Sequence, residues 1–255
     1  MAYEILPRKY DLLTRDVNYP ELAAFIKNIL LDYGIKSGIV LDLACGTGSL
    51  SYLLAKQGYE VIGVDSSPEM LSVAYSKGST ERAPVAPVFI QQDMRELDLY
   101  GTVDACICML DSVNYITEPD ELLKVFKRVL LFLNPGGVFL FDANTPLKFG
   151  EMDGMSFVDE AEEDGVFCVW RVALTDRPKT YQYLVDLFTL KKDDGSGGIW
   201  KRESEEHLEY AYETEEIRQM LGDAGFEDIR MLGGTDGRPP AGNEKRVYFT
   251  AMKPV

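Results

Sequence analysis

Val40-Leu41-Asp42-Leu43-Ala44-Cys45-Gly46-Thr47-Gly48 reads as a buried strand running into a glycine turn, with one acid inside the apolar run. Gly46 and Gly48 can turn sharply and let the main chain approach a ligand that a β-carbon would hold off. A second apolar run, Val61-Ile62-Gly63-Val64, ends in Asp65. An acid at the end of the second strand stands where it can bind both hydroxyls of a ribose, as in doubly wound nucleotide-binding sheets. The dinucleotide fingerprint asks for a third glycine, and that position is Ser51 here. With no Tyr/Lys or His/Asp hydride-transfer set in view, an NAD-dependent oxidoreductase is disfavoured.

Working outward, strands and helices alternate. Pro20 to Tyr33 sets Leu22, Phe25, Ile26, Ile29, Leu30 and Tyr33 on one helical stripe, with Gly34 at the stop. Strands are expected at Ile39–Ala44, Glu60–Asp65, Val88–Gln91, Asp104–Met109 and Val138–Asp142, the last entered by a Gly136-Gly137 turn. Helices fall between them, at about Ser49–Gln57, after the Ser67-Pro68 cap, and from Pro119. This rhythm predicts a parallel sheet with right-handed crossovers. From about Pro146 it changes. Val166–Thr175, Tyr181–Lys191 and Ile199–Tyr212 read as three antiparallel strands, the last two joined by a hairpin connection at residues 193–198. A helix capped by Thr214 and strands at Phe226–Leu232 and Arg246–Met252 close the chain.

Composition narrows the partners. The formal net charge of −16, without a Lys/Arg cluster, opposes nucleic-acid binding, which draws on phosphate neutralisation. No apolar run approaches the ~18–20 residues that span a bilayer. The N-terminal residues lack the apolar core of a secretion signal. Cys45, Cys106, Cys108 and Cys168 lie mostly in strand-like runs, and no Cys/His spacing suits zinc. These features predict a reduced, cytoplasmic protein without a metal, acting on small molecules and present as a monomer or homodimer.

The string D-x-A-C-G-T-G followed by V-x-V-D-x-S-x-x-M-L resembles motif I and the following acidic strand of class I S-adenosylmethionine-dependent methyltransferases. The whole length is similar to a bacterial branch of small-molecule methyltransferases and to the N,N-dimethyltransferases of deoxyaminosugar biosynthesis. The resemblance implies a Rossmann-like core, a seven-stranded and mostly parallel sheet, built from residues 1–145 and 213–255. Residues 1–34 would form a helical cap, and residues 146–212 an inserted antiparallel sheet covering the active site. The implied cofactor is S-adenosylmethionine, leaving S-adenosylhomocysteine.

By the same resemblance, Asp65 would bind the ribose hydroxyls and Asp93 the adenine amine, with Met70 and Met94 near the purine faces. Ala44 and Gly46 would meet the methionine part by their main chain, Asp42 would support the loop and the cofactor amino group, and Gly48, Ser66, Leu110 and Tyr10 complete the cofactor set. Read without the resemblance, Asp65 and Asp93 are strand-end caps. Cys45 has no catalytic assignment. The substrate-side candidates are Asp111, Ser112, Asn114 and Tyr115, in a segment that replaces the N-P-P-Y/F tetrad of enzymes acting on base amines. The plain alternative for that segment is a capping loop, with Tyr115 in the core. A histidine occupies the position of Tyr115 in the sugar enzymes. Tyr10 and Tyr19 belong to a lid-like segment.

His207 is the one histidine of the chain. A strand histidine among glutamates is ordinarily solvated; the functional alternative is a general base under a roofing sheet, since imidazole exchanges protons near neutrality. Asp111, Tyr115 and His207 are thus the catalytic candidates. The expected reaction is in-line methyl transfer to nitrogen or oxygen of a small molecule. An RNA methyltransferase, of tRNA or rRNA, and a non-catalytic cofactor-binding protein are its rivals.

Overall fold

The computed structural model describes residues 3–161, 165–192 and 198–255. Strands β1 (Ile39–Leu43), β2 (Glu60–Asp65), β3 (Val88–Gln91), β4 (Val103–Cys108), β5 (Leu133–Asn144), β10 (Glu227–Leu232) and β11 (Arg246–Met252) form one seven-stranded sheet. Its order is β10-β11-β5-β4-β1-β2-β3, with β1 to β5 parallel and β11 antiparallel to both neighbours. Strand order reverses beside β1, so the loops leaving β1 and β4 open the crevice where such sheets take ligands.

The apolar strands are explained by two cores. Leu41, Leu43, Cys106, Cys108, Phe139 and Phe141 face helices α5 (Pro119–Phe132) and α7 (Thr214–Ala224). Val40, Ala105, Ile107, Val138 and Leu140 face α2 (Tyr19–Asp32) and α3 (Ser49–Lys56). A strand covered on both faces has no polar side, so period-two alternation disappears. Four rings harden the first core: Phe139 stacks on Phe141 at 4.6 Å and Phe141 on Phe249 at 5.0 Å, with Phe126 against Phe141 at 5.4 Å. Cys106 and Cys108 share that face as free, buried thiols.

A second sheet, β6-β7-β8-β9, is antiparallel throughout: β6 (Ser156–Ala161), β7 (Val166–Leu174), β8 (Thr180–Lys192) and β9 (Ile199–Tyr210). Sequence patterning predicts three strands here, and the structure has four. Most of β6 is exposed, so no apolar alternation marks it. A short helix, α6 (Pro146–Met152), precedes it, also outside the expected elements. The expected connection at residues 193–198 lies, but for Gly198, outside the described residues.

Two other expectations change in detail. Residues Asn134 to Gly137 belong to β5, as an irregular stretch against β4, because Val103 pairs with Leu133 while Ala105 already pairs with Val138. Thr214 is the first residue of α7, not its cap; Glu213 holds that place, and its N–H donates to Glu216 Oε2 at 2.9 Å.

The remaining helices, α1 (Pro7–Leu13) and α4 (Pro68–Lys77), flank the carboxyl ends of β1 and β2. Phe89 of β3 lies across Gly63 of β2: a β-carbon at 63 would stand 2.5 Å from the ring and 2.9 Å from Cys45 Sγ. Gly63→Ala should therefore destabilise the fold by about 1–3 kcal/mol through overpacking. Urea unfolding checks this, and an unchanged midpoint would contradict so close a crossing.

Candidate active site

A cavity of about 620 Å³ lies beyond the carboxyl ends of β1, β2 and β4. Its floor is the main chain of Ala44 to Thr47. Ala44 and Gly46 are in the left-handed region, at φ 58° and 54°. A β-carbon at Gly46 would meet nothing nearer than Met70 Sδ at 4.0 Å, so the absent side chain is open space on the cavity side. Gly48 differs. It is buried and off the cavity wall, and at φ 72° its β-carbon would strike Phe89 at 2.8 Å. Gly48 therefore packs against Phe89, while Gly46 lines the cavity.

Asp65 closes one side. Its carboxylate accepts from the N–H of Gly46 and of Ser67, both at 2.8 Å, which ties the glycine turn to the start of α4. Burial raises its pKa, and those N–H groups oppose the rise. Ser66, Met70 and Met94 continue the wall. Asp93 sits at the rim, where a hollow of about 220 Å³ adjoins. It caps the Met94–Glu96 turn and accepts from Arg95 Nε at 2.9 and 3.1 Å; the Arg95 hydrogen bonds hold it below the usual carboxylate range.

Asp42 is buried yet lines the cavity beside the glycine turn, 2.5 Å from Ser51 Oγ. The serine that breaks the dinucleotide fingerprint is the donor a buried acid requires. Burial lifts the Asp42 pKa to about 7, against the Ser51 hydrogen bond and with the help of Asp65.

The N-terminal segment closes the top. Asp11 of α1 accepts from Thr47 Oγ1 at 2.6 Å and pairs with Lys77 of α4 at 2.6 Å. Tyr10 and Tyr19 line the cavity, as does Tyr3, which packs edge-on against Tyr10 at 5.7 Å.

Behind the segment leaving β4 stands a relay of side chains. Tyr3 Oη and Tyr115 Oη are 2.7 Å apart, Tyr115 Oη is 3.0 Å from His207 Nδ1, and His207 Nε2 is 2.8 Å from Glu205 Oε1. Glu205 Oε2 accepts from the N–H of Glu4 and Ile5 at 2.9 and 3.0 Å. Burial favours a neutral Glu205, yet His207 and the two N–H groups outweigh it and hold the pKa low. His207 is only 1% exposed, so the solvated reading fails: β9 turns its inner face onto the cap, which covers what alternation alone leaves open. Tyr3 and Glu205 lie outside the sequence-derived set. The Glu-x-His spacing in β9 marks Glu205; nothing local marks Tyr3.

The other candidates separate. Leu110 and Ser112 line the cavity, Ser112 Oγ donating to Met109 O at 2.9 Å. Asp111 is off the wall and pairs with Arg246 at 2.5 Å. Leu110 and Asp111 are both left-handed, at φ 61° and 54°, and Asp142 holds them by accepting from their N–H groups at 2.6 and 3.2 Å. Asn114 is buried and structural: it donates to Asn144 O and Tyr210 O and accepts from Asn144 N–H, joining β5 to β9. Among the described residues, no group of three His, Cys, Asp or Glu side chains could hold a metal ion, and no helix is long and apolar enough to cross a membrane.

Comparison with known proteins agrees with this geometry. Residues 40–137 match the family described as methyltransferase domain. YqeM of Bacillus subtilis (strain 168), a methyltransferase-family protein, is 32% identical over 99% of this chain and 98% of its own. The dTDP-3-amino-3,4,6-trideoxy-alpha-D-glucopyranose N,N-dimethyltransferase of Streptomyces venezuelae is 29% identical over 90% of this chain and 93% of its own. The crystal structure of an S-adenosylmethionine-dependent methyltransferase from Clostridium acetobutylicum ATCC 824 superposes with a TM-score of 0.85 and 29% identity, covering 100% of both chains.

Asp42 makes a pH-dependent contribution to stability. Its folded pKa, about 7, exceeds the unfolded value of 3.8, so the stabilisation is complete below the lower value and disappears as pH rises through the upper one. Urea unfolding of Asp42→Asn and the unsubstituted chain at pH 5 and pH 8 should show the variant gaining relative stability at the higher pH. A constant difference would contradict the assignment.

Proposed function

We propose that this chain, which belongs to the S-adenosylmethionine-dependent methyltransferases, methylates a nitrogen or oxygen of a small molecule in the cytoplasm. The observation that carries the reading is the Tyr115–His207–Glu205 relay opening onto the same cavity as Gly46 and Asp65. The residues present fit the cofactor. Gly46 offers bare main chain, and a buried carboxylate stands at Asp65 with lone pairs to spare for ribose hydroxyls. Ala44 and Gly46 would hold the methionine part, Met70 and Met94 the purine faces, with Ser66 and Leu110 between. Asp93 would take the adenine amine once Arg95 yields one oxygen. Asp42 lines the cavity as well as holding Ser51, so it can support the floor and meet the cofactor amino group.

When bound, the cofactor would supply an electrophilic methyl on a sulfonium for an acceptor lone pair held in line with the C–S bond. The remaining work belongs to the protein. Tyr3, Tyr10 and Tyr19 line the cavity, a ring face turned to the sulfonium would be worth ~0.5–2 kcal/mol, and the cap keeps water out. Holding donor and acceptor in line can supply ~7–11 kcal/mol. The proton leaving the acceptor passes to Tyr115 Oη as Tyr115 gives its own to His207 Nδ1, and Glu205 stabilises the imidazolium. Tyr115 itself stays a neutral donor and acceptor, since burial pushes its pKa far up, with Tyr3 and Glu209 adding to the shift. The second sheet roofs this arrangement. The sugar-amine acceptor in the name of the Streptomyces relative supports a small-molecule substrate, and the net charge of −16 opposes RNA.

Radiolabelled cofactor incubated with size-fractionated extract of the source cells should deliver label to the small-molecule fraction; label in RNA would overturn the reading. Asp65→Ala should weaken S-adenosylhomocysteine binding by about 100-fold or more, two charged hydrogen bonds being lost, while the fold survives. Unchanged affinity by calorimetry would contradict the assigned site. Tyr115→Phe and His207→Gln should each lower kcat by about 10²–10⁴ with cofactor affinity kept. Combining them should cost little more than either alone, because the two act as one unit. Additive losses would separate them.

A further inference from the structure

Tyr3 lines the active cavity, and three rings enclose its own. The ring centroids of His207, Tyr115 and Tyr10 lie 4.7, 5.6 and 5.7 Å from it, His207 and Tyr10 meeting it edge-on. Its hydroxyl stands 2.7 Å from Tyr115 Oη. The direction of that bond follows from the relay. Burial opposes charge on Glu205, but His207 and two main-chain N–H groups outweigh it, so the carboxylate accepts from His207 Nε2. His207 Nδ1 is then the acceptor of the neutral ring and takes the Tyr115 proton at 3.0 Å. Tyr115 Oη is left to accept, and Tyr3 donates to it. Burial pushes the pKa of both phenols up, so both stay neutral.

A proton donated into Tyr115 Oη is what the methyl acceptor itself must bring. We propose that Tyr3 holds the acceptor's seat as a tethered stand-in, displaced by a ring compound whose own hydroxyl or amino group comes to Tyr115. The inference rests on Tyr115 receiving the acceptor's proton, as proposed above. The tether is built for exchange. Tyr3 is left-handed at φ 62°, a conformation that costs a bulky residue free energy. Hydrogen bonds on its carboxyl side offset that cost: Ser67 Oγ donates to Tyr3 O at 3.0 Å, and Glu205 accepts from the N–H of Glu4 and Ile5. These bonds pin the main chain, so the ring leaves by rotation at Tyr3 alone while the cap stays in place. Strain set against a single hydroxyl bond keeps the seated and displaced states close in free energy. The seat also describes its visitor. Walls made of three rings fit a flat or ring-shaped body, and the bond to Tyr115 calls for an uncharged O–H or N–H at one end.

The test compares Tyr3→Ala with the unsubstituted chain, using radiolabelled cofactor and the small-molecule extract. In dilute extract Tyr3→Ala should label about fivefold faster or more, because no seated hydroxyl has to be displaced, and the gap should close in concentrated extract. Tyr3→Phe, which keeps the ring and loses the bond, should fall between them. Slower labelling by Tyr3→Ala would make Tyr3 a working part of the transfer, and equal labelling would put the seat elsewhere; either overturns the proposal. 4-Methylphenol, the tyrosine side chain as a free molecule, examines the seat without turnover. Calorimetry should find it binding Tyr3→Ala and not the unsubstituted chain, and adding Tyr115→Phe should weaken that binding by about tenfold. Failure of 4-methylphenol to bind a Tyr3→Ala protein that still binds S-adenosylhomocysteine would also overturn the proposal. If Tyr3→Ala does not fold, the rate comparison with Tyr3→Phe decides. Absence of label with either enzyme would instead defeat the small-molecule reading itself, and this inference with it.

Discussion

Two hydrogen bonds to one carboxylate organise the whole crevice. Asp65 takes the N–H of Gly46 on one oxygen and that of Ser67 on the other. It thereby fixes the turn after β1 against the turn after β2, and these are the two pieces of main chain that a nucleoside ligand must meet. The arrangement is possible only because β1 and β2 run parallel in register, Leu43 opposite Val64, so both strands deliver their ends to the same edge. Phe89 then seals the back of the cradle over Gly48 and Gly63. The two glycines of the turn thus answer to different constraints. Gly46 keeps space for a ligand, and Gly48 keeps space for a ring.

The second sheet and the N-terminal segment share an apolar cluster with each other, Leu6 lying with Val166, Cys168 and Val185, and buried polar groups fasten both to this frame. Asn114 uses one buried amide to hold the loop after β4, the end of β5 and the end of β9. Glu205 performs the same service for the cap, taking two main-chain N–H groups on the oxygen that His207 does not use. Charge on Glu205 is thus stabilised jointly by the closed cap and by the imidazole. The position of the N-terminal segment and the orientation of His207 are thus tied through one carboxylate.

Much of the fold could be read from the chain because its signals are local. Pro and Ser at helix starts, glycine at strand ends and unbroken apolar strands each mark their element without reference to distant residues. The crevice shares that property: Gly46, Asp65, Met70 and Met94 follow strands in sequence and stand together because parallel strands end together. What escaped reading depends on long-range placement. Strand β6 carries no apolar pattern because most of it faces solvent. His207 looks solvated until the cap, two hundred positions away, is laid over it. Asp111 reads as a substrate ligand from its loop, but Arg246 of the last strand claims it.

Electrostatics gives the site its direction. Asp42 and Asp65 are both acids whose pKa burial raises, and both line the same crevice. Packing acids into a low-dielectric region costs stability, since each must either hold a proton or find a counter-charge. A cationic cofactor would provide that counter-charge, letting the acids ionise as it arrives. A methyl transfer of this type consumes the sulfonium charge and leaves a neutral thioether. The attraction that assembles the ternary complex is therefore weakened on the cofactor side once the methyl has moved. The same acids that favour binding before transfer then favour release of the spent cofactor after it.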